Sequence, residues 1–141
     1  MDLKMTAEER DAFLKEPRVA IVCIEQPNGA PLAVPIWFGY DPNVGIWIST
    51  TDDSLKAKRL RAAGRFTLVV QDEARPHRYV SVEGPVVEFR PIDPEKDIRP
   101  MAEGYAPDEV EMYVEASSQI PSSLVVMKPE IWRSMDQSKI P

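Results

Sequence analysis

Apolar positions along the chain come in short runs broken by proline, glycine and clusters of acids, and their period switches between that of a helix and that of a strand. The first signal is Thr6-Ala7-Glu8-Glu9, which has the form of a capping box: the Thr6 hydroxyl and the Glu9 carboxylate can satisfy backbone N–H groups left free at a helix start. Acids in the first turn and Lys15 in the last suit the helix dipole, and Pro17 stops a helix predicted to run to about Glu16. Val19 to Ile24 is continuously apolar and predicts a strand buried on both faces, which the turn residues Pro27-Asn28-Gly29 fold into a hairpin.

From Leu32 to Tyr40 the pattern alternates, with Leu32, Val34, Ile36, Phe38 and Tyr40 on one side and Ala33, Pro35, Trp37 and Gly39 on the other. Pro35 removes one ladder donor, so this second strand belongs at an edge, a bulge or an opening of the sheet. A third strand follows at Ile46 to Thr51. Asp52, Asp53 and Ser54 are capping residues, so the chain passes directly into a helix from Leu55 to about Ala63, closed by Gly64. Phe66 to Gln71 is a fourth strand. Tyr79 to Phe89 is a long fifth, interrupted at Gly84-Pro85 by a bulge or barrel corner. Prolines at first-turn positions predict helices at about Pro94–Glu103 and Pro107–Ala116, separated by Gly104; Ser122 to Met127 is a sixth strand, and the polar tail after Trp132 is expected to fray. Six strands with short helices at the connections, and no internal repeat, predict a mainly β protein: a small closed or half-open barrel rather than a doubly wound sheet.

At 141 residues and 43% hydrophobic composition, the chain is expected to be one domain with a buried core. Its net charge of −6 repels nucleic-acid backbones and anionic membranes, so neither is an expected partner; a small molecule, or a ligand meeting a local basic patch, is. The single cysteine, Cys23, forms no internal disulfide, which fits a reducing cytoplasm. Val19 to Ile24 is far short of the roughly 18 residues of a membrane span, and the opening Met1-Asp2-Leu3-Lys4 does not read as a signal peptide.

One window departs from the acidic balance. Lys56-Ala57-Lys58-Arg59-Leu60-Arg61-Ala62-Ala63-Gly64-Arg65 carries five cations and no acid. Lys56 falls in the first turn of its helix, where the dipole disfavours a cation, and the hydroxyls of Thr50, Thr51 and Ser54 lie close in sequence. A phosphate docked there resolves the conflict, since helix end and lysine then attract the same charge; a solvated helix face is the competing reading. Trp37 and Trp47 serve either as walls for a flat ring or as packing against a neighbour or dimer partner. Gln71 and Tyr79 are polar contacts to a ring edge or ordinary surface residues. The lone His77 follows Pro76 in a turn, no zinc or nucleophile–base pattern is present, and no glycine-rich nucleotide motif occurs. No side chain is nominated as catalytic or as a metal ligand. An enzyme built from this chain needs a cofactor to supply the reactive atom.

Four segments in order, Pro31 to Phe38, Trp47 to Thr50, Ser54 to Leu60 and Tyr79 to Pro85, resemble the pyridoxamine 5'-phosphate oxidase-like, FMN-binding split-barrel superfamily, and most of all its branch that uses the deazaflavin coenzyme F420. The likeness spans residues 6 to 133. It implies a six-stranded split β-barrel and a homodimer with two cofactor sites at the subunit interface, acting as an oxidoreductase on a small substrate. The segment Val34, Pro35, Ile36 and Trp37 borders the ring. Ser49, Thr50, Thr51 and Ser54 with Lys56, Lys58, Arg59 and Arg61 form the phosphate segment, and Gln71 and Tyr79 approach the ring by strand order. Leu55 stands where the oxidase proper has an arginine, and Trp132-Arg133-Ser134 keeps only a trace of its Arg-x-His substrate segment. Both differences argue against pyridoxine-phosphate oxidation. The broad basic patch suits the phosphate and oligoglutamate tail of F420 better than the compact phosphate of FMN, the alternative cofactor. A barrel that stores a flavin, haem or tetrapyrrole is the non-catalytic alternative.

Overall fold

Thr6 caps the first helix as its sequence dictates. In the computed structural model, which describes residues 1–141, its hydroxyl accepts the Glu9 N–H while the Glu9 carboxylate accepts the Thr6 N–H, and α1 runs Ala7–Lys15. Phe13 and Leu14 are its buried face. Strands β1 (Ala20–Ile24) and β2 (Leu32–Ile36) form the expected hairpin, with Gly29 at φ 104° in the turn. β2 is an edge strand, so Pro35 withholds its missing donor from no neighbour. β3 (Gly39–Asp41) and β4 (Gly45–Thr51) form a second hairpin, α2 (Leu55–Ala63) follows directly, and β5 (Arg65–Asp72) pairs with both β1 and β6 (Arg78–Pro91). A π-helical turn (Pro94–Ile98), α3 (Arg99–Tyr105), a 3-10 turn (Pro107–Glu109) and α4 (Val110–Gln119) make one helical insert before β7 (Ser122–Met127) and β8 (Ile131–Asp136).

The antiparallel sheet runs β2-β1-β5-β6-β7-β4-β3, with β8 also on β6. Its two ends, β2 and β3, are separated in the chain only by Trp37 and Phe38, so the sheet curls into a half-barrel around a core that includes Val22, Ile24, Ile46, Ile48, Leu68, Val80 and Val82. β6 spans both halves: Arg78 to Pro85 pairs with β5, and its last residues pair with β7 beyond a register shift between Val86 and Glu88. A Cβ on Gly84 would strike the Lys128 carbonyl, which explains glycine at this crossing. No helix is long and apolar enough to cross a membrane.

Five expectations need correction. There are eight strands, not six. The Leu32 to Tyr40 run keeps its alternation but leaves the ladder at Trp37-Phe38 to pass from one half of the barrel to the other, giving β2 and β3. The tail does not fray: β8 pairs with β6, the Asp136 N–H donates to the Leu3 carbonyl at 2.8 Å, and Lys139 reaches the Glu9 carboxylate at 2.7 Å. β1 is buried on one face only, since Ala20, Val22 and Ile24 are fully covered while Ile21 is 39% exposed on a sheet face that nothing in this chain covers. Finally, Gly104 lies inside α3 rather than between helices.

Candidate functional site

The start of α2 is built from the residues the sequence singled out. Ser54 is the cap: its hydroxyl accepts the Ala57 N–H at 3.0 Å and donates to the Thr51 carbonyl at 2.7 Å. With that proton committed, the 3.0 Å contact between the Thr50 and Ser54 hydroxyls has Thr50 as donor. Thr50 and Ser54 thus fasten the helix to β4, and Thr50 is almost completely buried. Ser49 and Thr51 alternate to the other face of β4, where they line a cleft of about 480 Å³ with Ile36, Trp37 and Lys56. The opposite wall comes from the insert, through Ile98, Met101 and the α4 stripe Tyr113, Ala116, Ser117 and Ile120.

Lys56 is partly buried and has neither a hydrogen bond nor an ion pair within the chain. Loss of solvent holds its pKa below the usual lysine value. Lys58 is exposed, and Arg59 is half-buried with its Nε enclosed and unpartnered. Arg61 is turned elsewhere: its guanidinium lies 4.3 Å from the centre of the Phe89 ring and 3.9 Å from the Asp52 carboxylate. Asp52 in turn accepts the Ser123 hydroxyl at 2.6 Å, tying the loop before α2 to β7.

The two tryptophans part company. Trp37 lines the Lys56 cleft, stacked on Tyr105 at 4.9 Å and 9° and met by Tyr113 at 4.8 Å and 57°. Trp47 covers Gly39 on the neighbouring strand, where a Cβ would collide with the indole, and it lines a second cleft of about 430 Å³ with Tyr105 and Met101. Val34 packs against the core. Pro35 and Gln71 lie on the uncovered outer face of the sheet with Val19, Ile21 and Val69, and Tyr79 sits beside Gln71 in register. Of the residues picked from sequence, the fold therefore gathers Ile36, Trp37, Ser49, Thr51 and Lys56 in one cleft and sets Pro35, Gln71 and Tyr79 on another face. Met101, Tyr105 and Tyr113 escaped sequence reading. For Tyr113 the i, i+3, i+4, i+7 spacing with Ala116, Ser117 and Ile120 is the one visible sign, and it marks a packed helix face without saying what packs there; Met101 and Tyr105 carry no such signal.

A profile of the pyridoxamine 5'-phosphate oxidase family matches residues 6–136. The chain belongs to that family. Among solved structures, the conserved hypothetical protein Rv2991 from Mycobacterium tuberculosis is 25% identical, with a TM-score of 0.78 over 99% of this chain and 89% of that one. An F420 reductase is 20% identical, with a TM-score of 0.65 over 87% and 94%. HutZ, the heme storage protein from Vibrio cholerae, is 14% identical, with a TM-score of 0.61 over 96% and 95%. No curated protein sequence matches the chain. The donor set of this family member's cleft fits a phosphate-bearing ring: an uncommitted ammonium and two hydroxyl-bearing side chains at one end, and indole, isoleucine and methionine walls along the rest.

Proposed function

We propose that this family member is an oxidoreductase dependent on a flavin-type cofactor, coenzyme F420 ahead of FMN, acting on a small unsaturated organic substrate. One observation carries the reading: Lys56, partly buried at the amino end of α2, has no counter-charge of its own and opens on the same cleft as Trp37, Ser49 and Thr51. Its ammonium and the free N–H groups of the first helical turn hold the phosphate, and the hydroxyls of Ser49 and Thr51 complete the shell. Lys58 and Arg59, which form no ion pair within the chain, meet the acidic tail that distinguishes F420 from FMN; Arg61, already drawn to Phe89 and Asp52, contributes less. Ile36, Trp37 and Met101 keep water from the ring, and when bound the reduced deazaflavin supplies the hydride. Orientation in a dry cleft is the protein's part, and no side-chain acid is needed.

The outer sheet face supports a homodimer. Val19 and Ile21 are 56% and 39% exposed beside Pro35 and Val69, an apolar surface that a second copy covers. Pro35, Gln71 and Tyr79, which lie on that face, then approach the cofactor from across the interface.

Titration of the purified protein with F420 and with FMN, followed by fluorescence, tests the proposal. Micromolar binding, tighter for F420, is expected; absence of micromolar binding by both refutes it. Turnover of the reduced cofactor with candidate acceptors separates an enzyme from a storage barrel, which binds without turnover.

A further inference from the structure

β2 leaves the ladder after Ile36 and β3 begins only at Gly39, so no strand partner fixes Trp37 and Phe38. Tyr105, the last residue of α3, takes the place of that partner. Its hydroxyl is 2.7 Å from the Arg18 carbonyl, 3.3 Å from the Phe38 carbonyl and 3.4 Å from the Phe38 nitrogen. A phenol has one proton, which goes to Arg18 at the shorter distance, while a lone pair of the oxygen accepts the Phe38 N–H. One side chain thus joins the insert to the chain before β1 and to the gap between the barrel's two edges. Burial raises the pKa of the phenol, so it stays a donor across the neutral range.

The ring of Tyr105 stacks nearly parallel on the Trp37 indole, and Tyr113 closes on the same indole at a tilt. Trp37 and Tyr113 line the Lys56 cleft, Tyr105 lines its neighbour, and Met101 borders both. The aromatic group is therefore the partition between the two clefts. An indole without such a partner has several staggered rotamers open to it, and the stack on Tyr105 selects one of them.

We propose that Tyr105 is a positioning residue, which holds the Trp37 indole as a fixed wall so that the planar ring is confined to the Lys56 cleft. This rests on the reading that the cleft takes a flavin-type ring. It assigns Tyr105 no contact with the cofactor: its effect passes through Trp37.

The test uses Tyr105→Leu, which removes the ring, and Tyr105→Phe, which keeps the ring and removes the hydroxyl. Each variant is titrated with F420 and with the deazaflavin chromophore lacking the phosphate tail. In parallel, the protein is labelled with 5-fluorotryptophan, and Trp37→Phe assigns the Trp37 fluorine signal. Tyr105→Leu is expected to weaken both ligands by about tenfold, the scale of one aromatic stack plus the lost order of the indole. Its Trp37 signal should move and broaden. Tyr105→Phe should keep that signal in place and weaken both ligands by less than about threefold, while the Phe38 amide, its acceptor gone, exchanges with solvent at least about tenfold faster. Unchanged affinities or an unchanged Trp37 signal in Tyr105→Leu overturn the proposal. Should that variant not fold, unchanged Phe38 exchange in Tyr105→Phe overturns it instead. If the wild type binds neither ligand, the cofactor reading fails by itself, and the fluorine and exchange data still decide whether Tyr105 fixes Trp37.

Discussion

Replacing Lys56 by methionine should separate binding from folding, because the ammonium does opposite things in the two. In the free protein it is partly desolvated and paired with nothing, and its pKa is held below 10.5 by burial. A charged hydrogen bond to a phosphate contributes about 1.5–3 kcal/mol, so its loss should raise the Kd for F420 by roughly 10- to 160-fold. Methionine keeps the length and apolar packing of the stem while removing an unpaired, half-buried charge, so stability should hold or rise slightly. The pH dependences diverge as well. Because the folded-state pKa lies below the unfolded one, the burial penalty is fully present below the folded pKa and is relieved as pH climbs from there to 10.5; wild-type stability relative to Lys56→Met therefore improves over that window. Wild-type affinity falls over the same window, since the phosphate needs the charged form, and the variant lacks that fall. Fluorescence titrations from neutral to alkaline pH, paired with urea unfolding, read both quantities. Wild-type affinity in Lys56→Met, or a loss of stability above about 1 kcal/mol, would refute the assignment of this lysine as an uncommitted anion ligand.

Three further outcomes follow from other parts of the fold. Ile21→Asp places a charge in the middle of the uncovered sheet face and should convert a dimer to a folded monomer in analytical ultracentrifugation; a dimer that persists would move the interface elsewhere. Gly84→Ala drives a Cβ against the Lys128 carbonyl at the β6 crossing, where backbone must shift, and should cost about 1–3 kcal/mol in urea unfolding; a variant as stable as wild type would contradict that contact. Glu9 is held down from 4.5 to about 2, chiefly by its hydrogen bond with Lys139 and then by the Thr6 N–H, so its contribution is complete above 4.5 and disappears as pH falls to about 2. An NMR titration placing the Glu9 carboxyl midpoint near 4.5 would break the tie between α1 and the C-terminal residues.

What could be read from the sequence is what neighbouring residues settle among themselves. The Thr6–Glu9 box, the Ser54 cap, the Gly64 stop at φ 69° and the turn at Gly29 each involve groups within a few residues of one another, so their geometry follows from local bonding. Pro35 likewise pointed to an edge, a bulge or an opening of the sheet through its missing donor, and it lies on an edge strand; Lys56 stood out through the conflict of its charge with its own helix. Only the tertiary structure decided which faces meet. β8 is a strand because the long β6 offers it an unpaired edge, although its own residues look like a polar tail. Trp37 faces Tyr105 and Tyr113 because the chain crosses between barrel halves at two residues that no periodicity marks, and Pro35, Gln71 and Tyr79 turn from the Lys56 cleft because the β2-β1-β5-β6 register puts them on the outer face with Ile21 and Val69. Hydrophobic burial rewards contact without naming the partner, so a sequence specifies that Trp37 must be covered while the folded chain alone determines what covers it.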